Sequence, residues 1–503
     1  MLNATKKYGI LALMLAIFLV SFFNIALAAK PTVPPGKGNG PPSPPPEPPG
    51  ITEQIKAELD YIAYSSWSEF NPNASGWKFL DPNIDIYGAI NSNRIPSQGV
   101  PNRWGWVRPG IAAMAAIGVM QGAAYLDSQG VGHDKYDQAL DKFFLQWELA
   151  HEQGQNKNAD DPDYGAFMDR VDYDSSGNYN AGITPLWKTE VTAQMMIANW
   201  KYYEYKNSIG QSQAASQWLA NAWPIQERGA DYLLNMYNNT PAGTINLLPG
   251  NSSPAEYIAW IHFAAYAVPA LRAASVWANM RGEVALAFDY TALVDNLVIG
   301  IQTMKDESSQ KNYFKFRPYA NGAYGAPTYG DSIDQLVFSP YETGAIPPDE
   351  FAGQISDWWT NGDGQLKMTY QTNDESDWRY FGTRWHYYFT DQSESDYLYP
   401  GPGFQLAKVE WKYGQVLGGN NEYLARSDKR LKWGTLTNYS ALWWFLTGEQ
   451  EVKTPNGFLD WRSANNYSST AEGWARFVDS SAYFIEVLLM NNAGIDSDYN
   501  PIS

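Results

Sequence analysis

Cysteine is absent from all 503 residues, and histidine occurs four times, at His133, His151, His262 and His386. The first absence excludes disulfides, thiolate zinc sites, a thiol nucleophile and a lipidated-cysteine anchor. The wide spacing of the histidines argues against a His-rich metal centre. Basic residues are also scarce, 35 Lys and Arg against 53 Asp and Glu, for a formal charge of −18. That balance argues against nucleic acid or an anionic membrane as a partner. Long apolar runs are confined to the N-terminus, where Lys6-Lys7 precede the run Tyr8 to Ala28 and Ala26-Leu27-Ala28 supplies small residues for signal peptidase. Residues 1–29 therefore read as a secretory leader cut after Ala28 or Ala29, with an uncleaved signal anchor as the alternative. The rest is expected to be a soluble, secreted or cell-surface-associated body.

Residues 31–50 carry ten prolines in twenty positions. A segment of that composition forms neither helix nor ladder, so 30–50 is expected to be an extended spacer of roughly 60 Å. Residues 51–503 are long enough to bury a core without disulfides, as one domain.

Aromatic residues are abundant: 21 Trp, 34 Tyr and 21 Phe. Several rings stand in polar, Gly- and Asn-rich stretches, including Trp104 and Trp106 in Asn102-Arg103-Trp104-Gly105-Trp106, Trp358-Trp359 before Thr360-Asn361-Gly362, and Trp378 after Asp377. Many aromatic rings only fill a core. The surplus in polar loops suits a surface that stacks on sugar C–H faces while neighbouring carboxylates and amides reach the hydroxyls.

Helical periodicity runs through the body in two kinds. Segments 109–126, 188–206 and 255–279 are apolar on nearly every face. Segments 134–151, 213–235 and 284–303 carry a single stripe, such as Tyr136, Leu140, Phe143 and Trp147, or Tyr290, Leu293, Leu297 and Ile301. A helix apolar all round is buried and one with a stripe lies outside, so the order alternates inner and outer. Further candidates at 51–66, 404–418, 435–447 and 472–491 bring the number near what a closed double ring needs. No constant-length repeat marks a linear solenoid. The expected fold is all-α, a toroid of helical hairpins.

This pattern, with the aromatic content and the leader, resembles the six-hairpin (α/α)6 toroids of secreted glycoside hydrolases and polysaccharide lyases, over most of residues 51–495. The resemblance implies a cleft at one end of the barrel, built from the loops between helices. It supplies no family-specific signature, so the site residues are read from this sequence alone.

Glycoside hydrolysis commonly needs one protonated and one ionised carboxyl group. Glu190 begins a buried helix after Trp187-Lys188-Thr189; Glu342 follows Ser339-Pro340-Tyr341; Asp334 stands in Asp331-Ser332-Ile333-Asp334. These three are the candidate acid and base, with Glu410, inside Val409-Glu410-Trp411, a fourth candidate. Their plainer readings are a helix N-terminal preference for Glu190 and pairing with Lys408 or Lys412 for Glu410. Segment 305–403 is the least helical by pattern and is expected to hold much of the cleft. Trp104, Trp106, Trp187, Tyr341, Trp358, Trp378, Trp385 and His386 are the candidate substrate-stacking residues.

Asp172, Asp174, Ser176 and Asn178 place oxygen side chains at alternate positions around Gly177, like the first half of a calcium loop. Ile183 stands where the bidentate Glu of a full loop belongs, so the choice is a partial calcium site or a plain β-hairpin. No cofactor is required for the expected hydrolysis of a neutral or weakly charged polysaccharide, and a monomer is expected. Two alternatives use the same surface. A lyase for uronic-acid polymers could use Arg384-Trp385-His386-Tyr387-Tyr388, and a non-catalytic envelope protein would have rings without paired carboxylates.

Overall fold

The computed structural model describes residues 50–64, 83–90, 93–94, 106–150, 154–173, 177–179, 186–253, 260–306, 313–314, 332–334, 338–361, 368–369, 381–383, 386–388, 393–394, 397–398, 400–439, 458–459, 462–463 and 476–502. Among them are twelve helices: α1 (Ile51–Tyr64), α2 (Pro109–Ser128), α3 (Asp134–Asp141, running on as a π-helical turn over Lys142–Glu148), α4 (Thr189–Ser208), α5 (Ser212–Asn239), α6 (Ile261–Arg281), α7 (Val284–Thr303), α8 (Ser339–Glu342), α9 (Glu350–Asn361), α10 (Pro400–Leu417), α11 (Glu422–Tyr439) and α12 (Val478–Ala493).

The even-numbered helices pack side by side in chain order, and α12 returns to α2 to close a ring. The odd-numbered helices wrap it: α3 lies on α2, α5 on α4 and α6, α7 on α6, α9 on α10, and α11 on α10 and α12, while α1 covers α12 and α2. This is the (α/α)6 toroid that the alternating pattern predicts. The cause is local. Every turn of α2 faces protein, so Ala112, Ala115, Ile117, Val119 and Leu126 are all buried. In α7 burial falls on Tyr290, Leu293, Leu297 and Ile301, the predicted stripe. Ring closure needs a close crossing between α12 and α2, where a Cβ on Gly118 would stand 2.5 Å from the Ala482 methyl carbon. A glycine there lets the two backbones approach within contact distance.

Several boundaries differ from expectation, among them the helix expected at 472–491, which begins at Val478 after the two-residue strand Arg476–Phe477. Helix α6 starts at Ile261 rather than 255, after an extended Trp260. Helix α11, Glu422–Tyr439, overlaps only the start of the helix expected at 435–447, and residues 440–447 lie outside the described residues. Segment 350–361, expected to be irregular, is the outer helix α9. The Asp349 carboxylate caps it by accepting the Phe351 amide at 3.0 Å, and Phe351, Ile355, Trp358 and Trp359 fall on one buried face.

All six inner helices begin at the same end of the ring, each entered from a long connection out of an outer helix. Short antiparallel ladders tie these connections together: 106–107 with 171–172, 167–168 with 187–188, 332–334 with 386–388, and 476–477 with both 93–94 and 458–459. The far end is closed differently. The tail 494–502 crosses it, with Lys201 donating to the Asn500 carbonyl at 2.7 Å and the Ile502 amide donating to Glu204 at 2.7 Å.

Candidate active site

Three inner helices present a titratable side chain as their second residue at the loop end: Glu190 in α4, His262 in α6 and Asp479 in α12. Arg108 stands immediately before α2, which lies between α12 and α4 in the ring. First-turn carboxylates gain from the unpaired amides and the dipole of the helix start.

Glu190 is held on both oxygens. His262 Nε2 lies 3.2 Å from Oε2, and Gln194 Nε2 donates to Oε1 at 3.2 Å. The helix start beneath it is fixed by Thr189, whose hydroxyl donates to the Pro249 carbonyl at 2.6 Å and whose amide donates to Gly250 at 2.9 Å. Gln194 has room to reach Glu190 because Gly110 lacks a side chain: a Cβ there would meet the Gln194 carbonyl oxygen at 2.1 Å. The Glu190 side chain remains 30% exposed, whereas His262 is 2% exposed, so the carboxylate sits deep yet open to the loop face. Burial alone would raise its pKa; the His262 charge and hydrogen bond, with Lys188 and Gln194, outweigh that and lower it.

Asp479 behaves oppositely. Its carboxylate accepts the Ser480 amide at 2.9 Å, and it is partly exposed. The surrounding protein pushes its pKa up to about 6, an effect that the Ser480 amide and Arg108 only partly offset. Two carboxyl groups in equivalent helix positions are thus driven apart in acidity by their neighbours, as an acid and base pair requires. Beside His262, Trp260 stacks parallel to Phe263 at 5.6 Å and is partly exposed at the same end. It offers a ring platform beside Glu190.

The other sequence candidates separate. Glu342 is not at the surface: it is wholly buried on the barrel axis, where it takes bonds from Lys408 Nζ at 3.1 Å, the Tyr499 hydroxyl at 3.1 Å and the Tyr266 hydroxyl at 3.3 Å. Being fully buried and paired, it is corrected to a structural ion-pair residue. Glu410 is likewise buried, but its partner is Arg430, which donates at 2.8 and 3.0 Å, and not the expected lysines. Tyr341 is buried with its hydroxyl on Asp349 at 2.6 Å, and Trp358 lies on the inward face of outer helix α9. Both are corrected to core residues, since both side chains are buried.

Asp334 stands opposite His386 in the ladder 332–334 with 386–388, a backbone placement at the loop end; their side chains lie outside the described residues. Trp106 pairs by backbone with Asp172, and Trp187, half-buried, pairs with Met168. Trp104, Trp378 and Trp385 lie outside the described residues.

Of the calcium candidates, Asp172 accepts from Arg170 Nε at 2.9 Å and Asn178 is exposed, while Asp174 and Ser176 lie outside the described residues. Tyr173 and Tyr179 form an antiparallel bridge, the geometry of the hairpin alternative. Among the described residues no three His, Asp or Glu side chains gather as a metal site.

Sequence reasoning missed Asp479, His262, Arg108 and Trp260. Their signal was positional: Val478-Asp479 and Ile261-His262 each open an apolar helix in the place that Thr189-Glu190 holds in α4.

No protein-family profile matches this chain, and no curated protein aligns with it significantly in sequence. Solved structures do share its fold. Glucoamylase from Saccharomycopsis fibuligera superposes with a TM-score of 0.55 at 11% identity, over 88% of this chain and 95% of that one. A glycosidase in complex with glucose gives 0.51 at 11% identity, covering 90% and 98%. A D-mannose isomerase gives 0.51 at 9% identity, covering 88% and 97%. At these identities the likeness is one of fold, a glycosidase-like (α/α)6 barrel, and it spans hydrolases and an isomerase alike.

Proposed function

We propose that this protein is a secreted glycoside hydrolase that cleaves a neutral or weakly charged polysaccharide, with Asp479 as general acid and Glu190 as general base. The observation carrying this reading is the split pair itself: two accessible carboxyl groups in the first turns of α12 and α4, one pushed up to about 6 and the other held down. The exported character read from the leader, the ring-rich loops and the glycosidase-like fold support it.

In this reading the Asp479 proton passes to the leaving glycosidic oxygen, while Glu190 removes a proton from the water that attacks the anomeric carbon. His262 and Gln194 hold Glu190 ionised and oriented. Because α2 stands between the two helices, we read the pair as wider than the ~5 Å of a retaining enzyme. That favours a water between them and inversion at the anomeric carbon. Trp260 offers a stacking plane at the same end.

The test is the full chain on a panel of glucans, mannans, xylans and pectins, followed by both reducing ends and the ultraviolet absorbance of unsaturated products. New reducing ends without absorbance support hydrolysis. Absorbance supports the lyase alternative, and binding without either supports the non-catalytic one. Glu190→Gln and Asp479→Asn should each lose on the order of 10²-fold or more in rate. Full activity in either variant removes the pair assignment.

A further inference from the structure

The end of the barrel opposite the loops contains a cavity of about 510 Å³, within the size range of small-molecule sites. Its mouth is formed by exposed Gln415, Val416 and Asp496, and its floor by Lys412 and Tyr341. Nothing in the proposed hydrolysis uses it.

The floor is unusual in its charge pairing. Lys412 is 6% exposed, yet its ammonium bonds only to backbone, the Glu342 carbonyl at 3.0 Å and the Tyr341 carbonyl at 3.3 Å. An ammonium has three protons to give, so one is left toward the cavity. Arg272, on the same wall, donates to the Gly344 carbonyl at 3.1 Å, the Ala345 carbonyl at 3.2 Å and the Asn500 side-chain oxygen at 2.6 Å. Neither cation is in direct contact with a carboxylate among the described residues. Two acidic residues share the cavity: Asp498, whose charge acts on both Lys412 and Arg272, accepts the backbone and side-chain amides of Asn500 at 2.9 and 2.7 Å, and Asp496 is exposed at the rim. Burial lowers the Lys412 pKa, with Asp498 and Asp496 partly offsetting it.

A buried ammonium with an unspent proton, lining one cavity with a guanidinium, suits an anion of compact, planar shape. The rest of the lining combines Gln415, Asp496 and Asp498 with the apolar Trp411, Pro347 and Pro348, partners for hydroxyls and for C–H groups. We propose that this cavity is a second ligand site, taking a small hydroxylated carboxylate of the sugar-acid class with its carboxylate on Lys412 and Arg272. The site lies away from Glu190 and Asp479, so it stands or falls apart from the reaction assigned to them.

Calorimetric titration of glucuronate and of glucose into the full chain tests it. Glucuronate should saturate one site with an affinity that weakens as salt is added, and glucose should bind there at least tenfold more weakly, the loss expected when a charged hydrogen bond goes unmade. Lys412→Met should lower glucuronate affinity roughly tenfold or more. Gln415→Trp, a change at an exposed position that fills the mouth, should do the same without disturbing the fold. Glu190→Gln should leave glucuronate binding unchanged. Equal affinity for glucose, loss of binding in Glu190→Gln but not in Gln415→Trp, or no glucuronate binding at all would each overturn the proposal.

Discussion

The hydroxyl of Tyr499, from the C-terminal tail, donates to the Glu342 carboxylate at 3.1 Å, 157 residues away in sequence. The same hydroxyl accepts from Lys408 Nζ at 2.9 Å, and Lys408 also reaches Glu486 at 2.6 Å. Lys408 thus spends its three protons on three acceptors, all on the barrel axis and all buried. Burial alone would lower the lysine's pKa, but Glu486 and Glu342 raise it, so it stays charged. Glu486 is pushed up by burial despite Lys408.

Removing a member of this cluster leaves a buried charge uncompensated. Lys408→Met is therefore expected to cost about 3–5 kcal/mol, and Tyr499→Phe, which deletes one hydroxyl between charged groups, about 1–3 kcal/mol. Denaturant midpoints compared with the parent chain measure both. A Lys408→Met midpoint equal to that of the parent would show that the cluster contributes nothing to stability.

Activity should follow the two carboxyl groups at the loop end. Asp479 must hold its proton, so the rate should fall as pH rises through about 6. Glu190 must be ionised, and its lowered pKa places the acid limb below the ordinary glutamate range. In the residual activity of Asp479→Asn the alkaline limb should disappear, whereas in Glu190→Gln the acid limb should. A pH–rate profile whose limbs are unchanged in both variants would detach these residues from the chemistry.

Glu148, at the end of the π-helical turn of α3, is buried, and its pKa is pushed up to about 8 by burial, which the polar Asn199 side chain offsets only in part. The folded state therefore binds one proton more than the unfolded chain between the ordinary glutamate pKa and about 8. Stability falls as pH rises across that window and levels off above it. Glu148→Gln should remove the slope and raise stability at pH 8 by on the order of a few kcal/mol, while changing little at pH 4. Thermal melts of both proteins from pH 4 to 9 provide the check; parallel curves would mean that Glu148 titrates normally.

How far the chain could be read in advance depended on the range of the interaction concerned. Whether a helix is inner or outer follows from the periodicity of its own residues, so α2 and α7 were legible from Ala112 to Leu126 and from Tyr290 to Ile301. Helix α9 was legible in principle, through the Asp349 cap and the spacing of Phe351, Ile355 and Trp358. The polar residues around its tryptophans pointed instead to a loop, and packing against α10 is what buries that face. The site was only partly visible. Glu190 lies at a recognisable helix start, but its meeting with His262, and the place of Asp479 two inner helices away, exist only once α12 closes against α2. Glu342, like Glu190, is a carboxylate shortly after an aromatic residue at a helix start, and was drawn onto the axis because Lys408 and Tyr499 compensate its charge there. Short-range pattern fixes which face of each helix is apolar. Which carboxyl group is ionised, protonated or buried is set by charges and dipoles brought near from other hairpins, and tertiary structure alone decides that.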